Sequence, residues 1–139
     1  MRQMSTPEVR HRLPEPFAPL LVSPPYSWEW RGERLRWTRR SVTLLATPDS
    51  VGNAHIAIGM ARIPARQAAP WHRHTGHEEF VFVLEGNGEF CCELVPPQPI
   101  TSGSLNVIPP DQWHMHRAAQ DEDLLFLWGY APPGIQLTS

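Results

Sequence analysis

The chain has 139 residues, which fits one domain with a real core and leaves no room for a second. All twelve basic residues are arginine, which excludes a lysine Schiff base and with it the usual anchoring of pyridoxal phosphate. A formal net charge of −2 offers no electrostatic reason to expect nucleic acid as a partner.

Taken in chain order, residues 1–40 form a Pro-rich N-terminal arm and a first strand. Pro7, Pro14, Pro16, Pro19, Pro24 and Pro25 punctuate residues 1–27, and proline lacks an amide donor and biases its predecessor away from helix. The arm is therefore extended. The apolar residues Phe17, Leu20, Leu21, Val22 and Tyr26 favour docking, across the domain or across a neighbouring subunit, over free solution. The first 23 residues hold no long uninterrupted apolar stretch, so neither a signal peptide nor a membrane span is expected. Trp28–Trp37 alternates bulky apolar and charged residues like a strand, and Arg31, Arg34, Arg36, Arg39 and Arg40 form a basic cluster there, read as a solvated strand face with an anion or partner contact as the alternative.

Residues 41–131 read as the main β-domain. Ser41–Ala46 and His55–Ile63 are strands, the second with Ile56, Ile58 and Met60 on one face and Met60 in the core. Glu79–Leu84 and Glu89–Val95 read as a hairpin about the turn Glu85-Gly86-Asn87-Gly88. Pro96, Pro97 and Pro99 then stop the sheet. Ser104–Ile108, Trp113–Ala118 and Leu124–Tyr130 are three more short strands, and residues 132–139 form a tail. Many short strands separated by turn signals mean an all-β sandwich or barrel. Cys91 and Cys92 are adjacent and face opposite ways on a strand. No disulfide framework exists, and a reducing, cytoplasmic location is expected.

Chemistry concentrates in His72-Arg73-His74-Thr75-Gly76-His77-Glu78-Glu79 and in His114 after the Pro109-Pro110-Asp111 turn. On a strand, residues two apart share a face, so His72 and His74 point together. Neighbours on a strand alternate, so Glu78 and Glu79 point opposite ways; Glu79 is taken as the ligand, with Glu78 as its alternate, and if the faces are assigned from the ligands Val81 and Val83 point inward beside Glu79. Three imidazoles and a carboxylate are the set that holds a borderline first-row metal. His116 shares a face with His114. It is either an inward pocket residue able to move a proton or a hydrogen-bonded core histidine. Phe126, Trp128 and Tyr130 share a face of unknown direction. A cysteine of the Cys91/Cys92 pair near the metal also stays open, and His77 falls in the turn.

These spacings resemble those of the cupin family. Its first motif is His-x-His, three or four residues, Glu, six residues, Gly, matched here by His72, His74, Glu79 and Gly86. Its second is Gly, five residues, Pro-x-Gly, two residues, His, three residues, Asn. Gly103, Pro109 and His114 match it, while Asp111 replaces the second glycine and Ala118 the asparagine. The resemblance covers roughly residues 41–131. It implies a double-stranded β-helix, or jelly-roll barrel, of two antiparallel sheets, with His72, His74, Glu79 and His114 as ligands to one divalent transition metal. Fe(II) is the first choice, with Mn, Ni, Co or Zn also fitting.

A dioxygenase-type enzyme acting on a small organic molecule is the leading expectation. The alternatives are a non-oxidative lyase, decarboxylase, isomerase or cyclase, with His116 or Tyr130 as general base, or a small-ligand-binding module without catalysis. Exposed sheet edges also lead us to expect a homodimer.

Overall fold

The computed structural model describes residues 18–20, 27–30, 33–36, 40–48, 52–69, 71–93 and 95–133. Most of the arm, and the side chains of the arginine cluster at Arg31, Arg34, Arg36, Arg39 and Arg40, lie outside the described residues. Among the described residues no helix is long and apolar enough to cross a membrane.

The fold is all-β. Its larger sheet has six antiparallel strands in the order β1 (Ala18–Leu20), β4 (Arg40–Ala46), β5 (Ala57–Ile63), β11 (Leu124–Ala131), β6 (Glu78–Glu85) and β9 (Leu105–Ile108). Facing it are β10 (His114–Ala118), β7 (Asn87–Cys92) and β8 (Gln98–Thr101). The segment before His72 runs beside β10 through bridges Ala68↔Arg117 and His72↔His114, extending this smaller sheet. A separate ribbon pairs β2 (Ser27–Trp30) with β3 (Glu33–Arg36), so the single strand expected over Trp28–Trp37 is instead two.

Side chains from both sheets meet in one core. Val81 and Val83 point inward and are fully buried, as alternation from Glu79 requires. Phe126, Trp128 and Tyr130 turn to the same interior, and Phe90, Cys92 and Ile100 answer from the smaller sheet. Fully burying each valine contributes roughly 1.5 kcal/mol or more. On β5 the buried set is Ala57, Gly59, Ala61 and Ile63. Met60 lies on the opposite, half-buried face rather than in the core, because small residues take the crowded interior where β5 packs.

Two further expectations are corrected by the pairing. β6 and β7 do not form a hairpin: β6 pairs with β11 and β9, while β7 pairs with β10 and β8. The chain crosses from one sheet to the other at Gly86, whose φ is 93°. A Cβ there would stand 2.0 Å from the Asp123 carbonyl oxygen, so the crossing needs glycine for space as well as for φ. The prolines after Val95 do not end the sheet either. β8 includes Pro99 and forms the outer edge beyond β7, the place where a missing amide donor is tolerated.

Candidate metal centre

Three different local devices bring the site together. His72 and His114 exchange backbone hydrogen bonds: His72 N–H donates to the His114 carbonyl at 3.0 Å and His114 N–H to the His72 carbonyl at 2.8 Å. Such a pair sends both side chains to one face, and the two rings stand 4.3 Å apart. His74 is held by its carbonyl, which accepts from Asp111 N–H at 3.0 Å. Asp111 makes that contact at φ 65°, the left-handed region that aspartate tolerates where the family pattern has glycine. Glu79 comes from the start of β6, opposite Tyr130 of β11 and Ile108 of β9. Glu78, its neighbour, is exposed, and Glu79 is buried.

The four side chains converge. His72, His74 and His114 are all buried and each offers a ring nitrogen within 4.8 Å of the others. Two donors on one ion, each at about 2.1 Å, stand no more than roughly 4.2 Å apart, so a closure of about half an ångström would let the three grip one ion. The Glu79 carboxylate lies among them, with Oε2 at 2.7 Å from His74 Nε2 and Oε1 at 3.9 Å from His114 Nε2. That short approach lacks hydrogen-bond geometry. His74 Nε2, Glu79 Oε2 and His114 Nε2 are buried with no hydrogen-bond partner. An unsatisfied buried polar group costs about 1–3 kcal/mol. Orphaned donors from three residues at one point are what a bound cation relieves, so the donor set fits a borderline divalent metal.

The protonation pattern suits the same role. His114 Nδ1 lies 2.8 Å from the Gln112 carbonyl oxygen, which can only accept. Nδ1 therefore carries the proton, and the Nε2 lone pair faces the cluster. Burial pushes the His114 pKa below its ordinary value, against the raising pull of Glu79 and the Gln112 carbonyl. The neutral imidazole is the metal-binding form.

Around the cluster the walls are aromatic. The Tyr130 ring meets His74 edge-on at 4.5 Å and packs on Trp128 at 5.0 Å. His116 is buried one step further along β10. Its Nε2–H donates to Asn106 Oδ1 at 3.2 Å, and its ring lies between Phe90 and Phe126 at 5.0 and 5.3 Å. His77, half-buried, donates from Nδ1 to the Pro132 carbonyl at 2.6 Å. Cys92 is the cross-strand neighbour of His114 on the interior side, and its sulfur is not part of the three-histidine donor group. Cys91 sits on the other face with Met115 and Ala68. Sequence reasoning passed over Asn106 and Gln112. Gln112 acts through its backbone carbonyl, which no residue pattern marks, and Asn106 became a partner only once β9 lay beside β6.

The fold and site define a small β-barrel with a candidate metal centre in its interior. The cupin domain family model matches residues 59–130, and the chain belongs to that family. No curated protein sequence matches this chain. Among solved structures, an RmlC-like cupin protein from Desulfovibrio desulfuricans is similar at 29% identity, covering 67% of this chain and 82% of its own, with a TM-score of 0.57. DMSP lyase DddQ from Ruegeria pomeroyi DSS-3 aligns at 25% identity and TM-score 0.61, over 72% of this chain and 49% of that one. A protein described as a predicted oxalate decarboxylase from Thermotoga maritima shares the fold at 20% identity and TM-score 0.62, over 68% and 82%.

Proposed function

We propose that this chain is a metal-dependent enzyme that holds one divalent transition ion on His72, His74, Glu79 and His114 and acts on a small organic molecule, with dioxygenase-type oxidation as its reaction. The observation that carries the reading is the set of buried, unpartnered donor atoms on His74, Glu79 and His114. Iron(II) is the first ion to test, ahead of manganese, nickel, cobalt and zinc. A bound ion of this kind supplies Lewis acidity and, in the iron case, oxygen activation.

The chain's own residues supply the rest. Val81, Phe126 and Trp128 exclude water from the interior behind the donors, where a low dielectric strengthens every polar interaction. His114 stays neutral, and its Nδ1–H is spent on Gln112. Tyr130, against His74, presents an aromatic wall to any ligand that reaches the donors.

A second reading, non-oxidative lyase, decarboxylase, isomerase or cyclase chemistry, is favoured by one feature. Such a reaction needs a general base beside the ion, and Tyr130, packed against the His74 ring at 4.5 Å, is the nearer of the two candidates, with the His116 ring 6.2 Å from that of His114. DMSP lyase DddQ, at 25% identity, is a lyase by its own description. The test is turnover by the metal-reconstituted protein of small oxygen-donor substrates, with and without oxygen. Oxygen consumption coupled to product supports the dioxygenase. Anaerobic turnover replaces it with the second reading. Full activity without metal sinks both, and metal-dependent ligand binding with no turnover leaves a binding module.

A further inference from the structure

The two segments that carry the histidines are stitched together twice. His72 and His114 exchange backbone hydrogen bonds, and Asp111 N–H donates to the His74 carbonyl. Between the stitches lie Arg73 on the first segment and Gln112 and Trp113 on the second. The second span is one residue longer, so it must bow away from the first, as a β-bulge does. Neither stitch fixes the Gln112–Trp113 peptide. Its carbonyl is the one that takes the His114 Nδ1 proton at 2.8 Å. The ring direction of a buried donor therefore depends on a stretch of backbone outside the pairing.

One side-chain contact crosses this gap. The Arg73 guanidinium carbon lies 5.1 Å from the centre of the Trp113 ring. Arg73 is exposed and Trp113 half-buried, while His72, His74 and His114 beside them are buried. Other arginines are spent elsewhere. Arg62 and Arg117 meet Asp123 and Glu89, and Arg66 donates to the Gln120 carbonyl. Among the described residues Arg73 makes no ion pair, so the indole is what holds its head group. A guanidinium suits that contact, because it is planar, weakly hydrated and always charged.

We infer that Arg73 is a positioning residue for the donor set: held over the Trp113 ring, its guanidinium clasps the two histidine-bearing segments from outside and steadies the Gln112–Trp113 peptide that orients His114. The inference rests on the metal-dependent reading above. The causal chain is short. Trp113 shares its peptide with the Gln112 carbonyl, so pinning the indole limits rotation of that carbonyl. Arg73 is joined directly to His72 and to His74, so pinning its side chain limits the spread of those two. The donor nitrogens lie within 4.8 Å of one another and must close by about half an ångström to grip one ion. A clasp across both segments holds that closure within reach.

The experiment is Co(II) titration of the full chain against a chromogenic chelator, with proton exchange at His114 Nδ1 followed by NMR on the metal-free protein. Arg73→Ala is expected to weaken Co(II) binding by about twofold to fivefold, the worth of an exposed cation–π contact, and to speed the Nδ1 exchange by a similar factor. Arg73→Lys keeps a cation over the ring and is expected to recover most of the affinity. Trp113→Ala is expected to match Arg73→Ala, and the double variant to lose no more than the larger single loss, since both changes remove one contact. Co(II) affinity equal to wild type in a folded Arg73→Ala protein overturns the inference and leaves the metal reading standing. Losses that add in the double variant overturn it too. If wild type binds no Co(II), the metal reading falls and the exchange decides: faster exchange in Arg73→Ala upholds the positioning role, and unchanged exchange overturns it.

Discussion

His74 Nε2 and Glu79 Oε2 stand 2.7 Å apart in the buried interior, and neither has a hydrogen-bond partner. A structural ion pair would align a proton between them. Two buried, unsatisfied groups facing a common point are what a bound cation would relieve. The variants that follow separate a metal centre from a core salt bridge.

Metal analysis is expected to find near one equivalent of a divalent ion in wild type. His74→Ala is expected to weaken binding by more than about a hundredfold, the upper end of what changes outside the coordination sphere cost. Glu79→Gln tests the relationship from the other side. Near pH 8, where imidazoles are neutral, a buried carboxylate without a cation is costly. The metal-free Glu79→Gln protein is expected to melt at or above the wild-type temperature while losing metal-induced stabilisation. A clear fall in its metal-free melting temperature would mark the pair as structural.

His114 links stability to pH in the metal-free protein. Burial holds its folded pKa below the ordinary 6.5, so the unfolded chain takes up this proton at higher pH than the folded chain does. The contribution is fully present above the unfolded value. It is lost as the pH falls through the window between 6.5 and the lowered folded value. Urea unfolding at about pH 7.5 and 5.5 is expected to show wild type losing more stability than His114→Gln, by up to about 1.4 kcal/mol per pH unit. Equal losses in the two proteins would remove His114 as the source.

Gly86 and Gly103 separate the cost of space from the cost of φ. Both have positive φ, 93° and 90°. A Cβ at Gly86 meets the Asp123 carbonyl oxygen at 2.0 Å, while one at Gly103 meets nothing within 4 Å. Gly103→Ala is expected to cost about 1–2 kcal/mol from backbone strain alone. Gly86→Ala is expected to cost clearly more in the same urea experiment, because the sheet crossing itself must shift. Equal costs would mean the crossing relaxes freely.

Much of the site was legible because it is local. His72 and His74 do turn to one site, though only His72 lies in a β-bridge and no strand carries the pair; that Glu78 and Glu79 face opposite ways could be read from alternation, and the choice of Glu79 from the motif spacing. Once Glu79 was taken as inward, alternation turned Val81 and Val83 inward with it, as the structure shows. Asp111 was legible as a turn residue because its side chain tolerates left-handed φ, which the structure displays at 65°.

What depended on tertiary structure was which strand lies beside which. Glu85-Gly86-Asn87-Gly88 has the composition of a hairpin turn, and the same residues serve a crossing between sheets. Local φ demands are shared by both, and only the hydrogen bonds of β6 to β11 and of β7 to β10 decide between them. The face of Phe126, Trp128 and Tyr130 was undetermined for the same reason, since a strand with bulky residues on both faces takes its direction from the sheet opposite. That His116 is hydrogen-bonded became visible only when Asn106, ten residues earlier, arrived as its partner. Alternation along one strand is a property of the covalent chain, and the sequence determined it. Pairing between strands is set by the competition among all of them for one core, and only the folded chain decided it.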